Sequence, residues 1–137
     1  MPKTFCNLPW HQLYISTSGN HRICCNNNDN ITKDDGYHHY NMVRDKITDS
    51  WNSEYLKDMR LKLIRGEKHK NCERCYLQEE LGHISMRDEK GMDDLIKNTQ
   101  PDGSYETQPW HLELHFGNLC NLSCKMCSQN FSTTIGK

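Results

Sequence analysis

The chain has 137 residues, eight of them cysteine, with a net charge of −1 and 34% hydrophobic content; its mean hydropathy is −0.94. That length suffices for one domain, but so polar a chain has little material for a self-sufficient core and calls for a staple: a metal, disulfides or a partner surface. A near-neutral balance excludes a global electrostatic case for nucleic acid or an anionic membrane, and no run is long and apolar enough to span a bilayer. Met1-Pro2-Lys3-Thr4-Phe5-Cys6 carries no secretory pattern, so a cytoplasmic chain with reduced, metal-binding thiols is the expectation.

In chain order, residues 5–25 read as a β-hairpin. Trp10-His11-Gln12-Leu13-Tyr14-Ile15 is strand-like, Ser16-Thr17-Ser18-Gly19-Asn20 is turn chemistry, and His21-Arg22-Ile23-Cys24-Cys25 returns antiparallel. Trp10, Tyr14 and Ile23 read as packing residues. Residues 26–46 are a polar loop in which His38 and His39, lacking matching cysteines, read as surface. Ile47 to Trp51 suggests one helical turn. Ser53 can cap a second helix with Leu56, Met59, Leu63 and Ile64 on one face and Gly66 as its stop. Met59 reads as core, and Arg60 and Lys62 as a solvated face. Cys72 and Cys75 stand where another helix begins. Further along it, Glu79 and Glu80 are adjacent, point to different faces and read as solvated surface. Ile84 to Asn98 can form a short helix interrupted by Gly91, Gln100-Pro101-Asp102-Gly103-Ser104 is a linker, and Trp110 to Phe116 alternates as a strand with Leu112 and Leu114 on one apolar face.

The cysteines fall into two constellations. A hairpin can bring Cys6 close to Cys24, and the CxxC pair Cys72 and Cys75 would complete four sulfur ligands; a helix N-terminus there favours thiolates. Four thiolates suit tetrahedral zinc or a closed iron–sulfur cluster, and the residues alone leave both open. Cys24 and Cys25 cannot both serve on a strand, because successive residues face opposite sides. The second constellation is Cys120, Cys124 and Cys127, spaced CxxxCxxC. Three thiolates leave one iron of a cluster free to take a substrate or cofactor. A zinc knuckle completed by His115 or His111 is the bland alternative. A thioredoxin-like pair at Cys124 and Cys127 lacks its βαβ setting. A nucleic-acid-binding knuckle would need more than Lys125 and Phe131 nearby.

The stretch Leu114-His115-Phe116-Gly117-Asn118-Leu119-Cys120-Asn121-Leu122-Ser123-Cys124-Lys125-Met126-Cys127 resembles the cluster loop of radical S-adenosylmethionine enzymes. Cys6, Pro9-Trp10, Gly19 followed by Cys24, Trp51-Asn52-Ser53-Glu54, Arg60, Gly66 and Cys72-Glu73-Arg74-Cys75 resemble the twitch or SPASM auxiliary-cluster domain of the same superfamily. The resemblance implies two 4Fe–4S clusters. One sits on Cys120, Cys124 and Cys127, with S-adenosylmethionine at its open iron and Met126 near the adenine. The other, auxiliary cluster sits on Cys6, Cys24, Cys72 and Cys75, which favours Cys24 over Cys25 and iron–sulfur over zinc. It also implies radical-initiated hydrogen abstraction, an electron donor such as flavodoxin or ferredoxin, and a peptide or small-molecule substrate; charge and hydropathy, as above, point to neither membrane nor nucleic acid as partner.

The expected fold class is therefore α+β: a small cysteine-rich hairpin with helices over residues 1–99, a linker over 100–109, and over 110–137 the first strand and cluster loop of an incomplete α/β barrel. A barrel of repeated βα units needs far more residues than follow Cys127, so the chain is expected to be the N-terminal part of a longer enzyme and inactive alone. The alternative expectation is a non-catalytic zinc- or iron–sulfur-binding module for structure or interaction.

Overall fold

The protein is described by a computed structural model covering residues 3–27 and 29–135. Branched and aromatic residues favour an extended backbone, and β1 (Gln12–Ile15) is fully buried. Gly19, at φ 81°, turns the chain by donating its N–H to the Ser16 carbonyl at 2.8 Å. β2 (His21–Arg22) then returns antiparallel, pairing Tyr14 with Arg22 and Ile15 with His21. The return strand is shorter than expected and stops before Ile23. The far edge of β2 is instead occupied by the polar loop: His21 N–H donates to the Tyr40 carbonyl at 3.0 Å, and Ile31 N–H to the His21 carbonyl at 2.8 Å. Thus the polar 26–46 segment is pinned to the sheet, with Ile31 wholly buried and His38 and His39 on the surface as expected.

The other edge of β1 is taken by β3 (His111–Leu114), which runs parallel to it in the register Gln12–His111 to Ile15–Leu114. The sheet order is β2-β1-β3. The strand expected to open a barrel pairs here with the hairpin. It completes the hairpin's own sheet, because His11 and Ile15 offer free carbonyls to Trp110, His111 and His115 N–H groups at 3.0–3.1 Å. Among the described residues the architecture is small α+β with a three-stranded mixed sheet and no barrel. Leu112 and Leu114 lie on the core face of the sheet beside Leu13 and Ile15, yet at its rim they remain 40% and 37% exposed.

The helical elements follow the apolar spacing. α1 (Ile47–Trp51) begins where Asp49 accepts the Lys46 N–H at 2.8 Å. α2 (Glu54–Ile64) starts after Ser53, whose hydroxyl donates to the Ser50 carbonyl and accepts no N–H from the helix, and ends before Gly66 at φ 77°. Leu56, Met59 and Leu63 join Phe5, Trp10 and Trp51 in the core. α3 (Glu73–Glu80) begins at Cys72. The helix expected from Ile84 forms only as α4 (Met92–Asn98). The preceding stretch stays irregular because it is held to the N-terminal segment: Asn7 N–H donates to the Asp88 carbonyl at 2.7 Å and Asn7 Nδ2 to the Lys90 carbonyl at 3.2 Å. No helix among the described residues is long and apolar enough to cross a membrane.

Arg60 is the main correction to the sequence reading. Its side chain is wholly buried rather than solvated. Nε donates to the Pro9 carbonyl at 3.0 Å, Nη2 to the Trp51 carbonyl at 3.0 Å, and Nη1 to Asn52 Oδ1 at 2.9 Å and the Gly103 carbonyl at 3.3 Å. The guanidinium stacks 4.7 Å from the Trp51 ring. Burial pushes its pKa down to about 10, so it stays charged at neutral pH. The segment read as a linker is equally fixed: Gly103, at φ 86°, lies so close to α2 that a Cβ there would stand 2.5 Å from the Lys57 carbonyl oxygen.

Two outcomes follow. Arg60→Ala strips three buried carbonyls of a donor, and is expected to lower the unfolding free energy by at least about 2 kcal/mol in urea titration; a loss within error of zero would mean the guanidinium is not holding them. The second concerns pH. His21 is wholly buried; Ser50 Oγ donates to the Ile47 carbonyl and so accepts from His21 Nδ1–H at 2.8 Å, leaving Nε2 without a partner. Burial lowers the pKa of His21, and likewise those of His69 and His11. The unfolded chain therefore takes up these protons near pH 6.5 and the folded chain only below it. Stability is complete above that value and falls as pH drops through the window beneath it. The urea midpoint should fall from about pH 7 to about pH 5, less steeply in His21→Gln; a flat profile contradicts the assignment.

Candidate metal centre

Four of the cysteines face one cavity. Cys6 follows the core residue Phe5 and precedes a tight 3-10 turn at Leu8–Trp10. Cys24 stands in the turn that follows β2, where Asn27 N–H donates to its carbonyl at 3.2 Å. Cys72 occupies the N-terminal cap of α3 and Cys75 its first turn, so the CxxC spacing turns both thiols to one side as the sequence suggested. All four line the same small cavity, walled by Leu8, Pro9 and Ile23. Cys6 and Cys75 are buried, Cys24 and Cys72 half-buried, and none forms a disulfide.

Cys25 is exposed and is not among the cavity residues; its Sγ lies 3.4 Å from Sδ of Met86, which lines the cavity. Strict strand alternation does not choose between Cys24 and Cys25, because the strand has already ended. The turn carries Cys24, and not Cys25, into the cavity lining.

The electrostatics are those of thiols kept from water. Burial pushes Cys24 and Cys72 up to about 12, with the neighbouring thiols adding to the rise at both. Burial also raises Cys6, against which Arg87 pulls downward. Arg87 is, among the described residues lining the cavity, the one with a charged side chain. It donates through Nε to Glu79 Oε1 at 2.8 Å, through Nη2 to Glu79 Oε2, and through Nη1 to the Phe5 carbonyl at 2.6 Å. Glu79 is thus an anchored carboxylate rather than free surface, while Glu80 pairs with the exposed Lys68. Asn26 Nδ2 donates to Cys75 Sγ at 3.6 Å.

Among the described residues no three His, Cys, Asp or Glu side chains stand together as a single metal ion requires. The four thiols surround a cavity instead. As a donor set they fit an iron–sulfur cluster, which is held by cysteine thiolates and tuned by its surroundings. Asn26 and Arg87 were missed in the sequence. Asn26 had a signal, since it directly follows Cys25; Arg87 had none, its role depending on how the 84–90 stretch folds back. Beside the cavity, and sharing Asn26 and Asn71 with it, lies an open cleft of about 860 Å³ bordered by Lys68, Lys70, Arg74 and Glu73.

The other three cysteines follow β3 in a loop that closes on itself. Thr133 N–H donates to the Asn118 carbonyl at 2.8 Å, Thr134 Oγ1 to the Cys120 carbonyl at 2.5 Å, and Ser132 Oγ to the Leu122 carbonyl at 2.9 Å. Cys120 and Cys127 are half-buried and Cys124 exposed; Met126 is 99% exposed. Cys127 N–H donates to the Cys124 carbonyl at 3.0 Å, and among the described residues no three His, Cys, Asp or Glu side chains stand together here as a single metal ion requires. His111 stacks near Trp110 and His11, and His115 faces Glu113 at 3.3 Å, so neither histidine completes a ligand group with them.

Residues 6–76, from the first cavity cysteine to the residue after the last, match the SPASM family, described as an iron–sulfur cluster-binding domain. No curated protein and no solved structure matches the chain, and no radical S-adenosylmethionine core is detected. The match spans just over half of the 137 residues and contains all four cavity cysteines. The chain belongs to the SPASM family of iron–sulfur cluster-binding domains.

Proposed function

We propose that the chain is an iron–sulfur-binding module in which Cys6, Cys24, Cys72 and Cys75 hold one 4Fe–4S cluster. The observation that carries this is the convergence of four unpaired thiols, drawn from three separate segments, on one apolar cavity. The bound cluster supplies one-electron transfer chemistry. Leu8, Pro9 and Ile23 keep water away from it, and Asn26 donates to the sulfur of Cys75.

A second, larger reading is supported by the C-terminal loop. β3 runs from the sheet directly into Cys120, Cys124 and Cys127, none of them in a disulfide. On this reading the chain is the auxiliary-cluster portion of a radical S-adenosylmethionine enzyme. Cys120, Cys124 and Cys127 hold a second 4Fe–4S cluster, S-adenosylmethionine binds at its open iron with Met126 near the adenine, and a flavodoxin or ferredoxin delivers the electron.

Anaerobic reconstitution separates the readings. The module alone gives a brown protein with roughly four iron and four sulfide per chain, and the larger reading roughly eight of each; a colourless, zinc-containing protein sinks both. Single-residue variants test the ligand set. Cys24→Ser should lose most of the iron of the cavity cluster, whereas Cys25→Ser should keep it and its visible spectrum. The reverse pattern would transfer the ligand role to Cys25.

A further inference from the structure

We propose that Asn26 and Arg87 set the reduction potential of the cluster held in the cavity, holding it higher than the buried thiolates alone would allow. The inference rests on the ligand assignment above and concerns residues that hold no iron.

Each thiolate brings a negative charge, and reduction adds another. An apolar wall therefore disfavours the reduced state, whereas a nearby positive charge or an N–H directed at a ligand sulfur favours it. The cavity has one of each. Asn26 Nδ2 lies 3.6 Å from Cys75 Sγ, and Arg87 is the charged residue in the described lining. The Arg87 side chain is only 9% exposed, so water screens it weakly. It is also held rigidly: by both oxygens of Glu79, by the Phe5 carbonyl next to Cys6, and by the Tyr76 ring 5.0 Å away. Ser85 Oγ donates to Glu79 Oε1 at 2.5 Å and fixes the carboxylate in turn. Glu79 is not among the cavity residues, so the pair presents its positive end to the thiols. A surface ion pair would serve stability as well with either partner inward; here Arg87, and not Glu79, stands in the cavity lining.

The step concerned is the uptake of one electron, with no bond made or broken and no proton moved. In the test, dithionite supplies the electron. Full-length protein, reconstituted anaerobically, is titrated with dithionite through redox mediators while the paramagnetic reduced state is followed by electron paramagnetic resonance. Iron and sulfide are measured on each sample. Arg87→Gln should lower the ratio of reduced to oxidised protein at a fixed potential on the order of tenfold, which for one electron is 59 mV. Asn26→Leu should lower it about threefold, as for one hydrogen bond. Arg87→Lys, which keeps the charge and loses the fork, should recover most of the Arg87→Gln shift.

Variants that keep their iron and sulfide and show an unchanged potential overturn the proposal. So does loss of iron in Arg87→Gln together with an unshifted potential in Asn26→Leu, which makes both residues structural. Failure of the unaltered protein to take up iron sinks the ligand assignment itself, a result distinguishable from either.

Discussion

The fold depends on one buried cation. Arg60 has no carboxylate partner among its contacts; its charge is met by three main-chain carbonyls, one amide oxygen and the face of Trp51. Desolvating a charge is costly unless it is paired and hydrogen-bonded, so these acceptors must stand where the guanidinium can reach them. That requirement fixes the Pro9 turn just after Cys6, the end of α1, and the Gly103 turn against α2 in a single arrangement. Arg rather than Lys suits this position because a planar fork can serve acceptors on several sides at once.

The cysteine cavity is assembled on that frame. Cys6 lies three residues before Pro9, whose carbonyl Arg60 holds, while Cys24 and the CxxC pair arrive from the sheet and from α3. A second arginine, Arg87, ties Glu79 on α3 to the Phe5 carbonyl beside Cys6. The two guanidiniums thus hold the Phe5–Trp10 segment at two carbonyls, Arg60 at Pro9 and Arg87 at Phe5. Tyr76, next to Cys75, adds a bond from its hydroxyl to the Thr4 carbonyl at 3.3 Å. These contacts around the pocket hold the four thiols together.

Much of the site was legible in the sequence because metal-ligand spacing is local. CxxC at a helix start singles out Cys72 and Cys75 without tertiary knowledge, the family resemblance adds Cys6 and Cys24, and the cavity brings these four together. Arg60 was misread, although spacing held the clue: it stands four residues after Leu56 and three before Leu63, on the stripe that the core claims. Charge alone suggested solvent. Ile31 was hidden in a polar run, and Arg87 in a stretch whose helical pattern was overridden by Asn7 bonding to Asp88 and Lys90. The pairing of β3 with β1 was illegible for a different reason. Which free edge a strand takes is decided by the edges on offer, about a hundred residues apart in sequence.

The turn at Gly103 has a consequence for how the molecule is made. Three buried donors of the N-terminal half find their acceptors late in the chain: Trp10 Nε1 at Thr99 Oγ1, Arg60 Nη1 at the Gly103 carbonyl, and Trp51 Nε1 at the Thr107 carbonyl. A nascent chain that has emerged only as far as Tyr76 already contains every cavity cysteine, yet its core is still unsealed. Contacts of such long sequence separation form slowly. During synthesis the thiols are thus exposed together before the frame that shelters them can close.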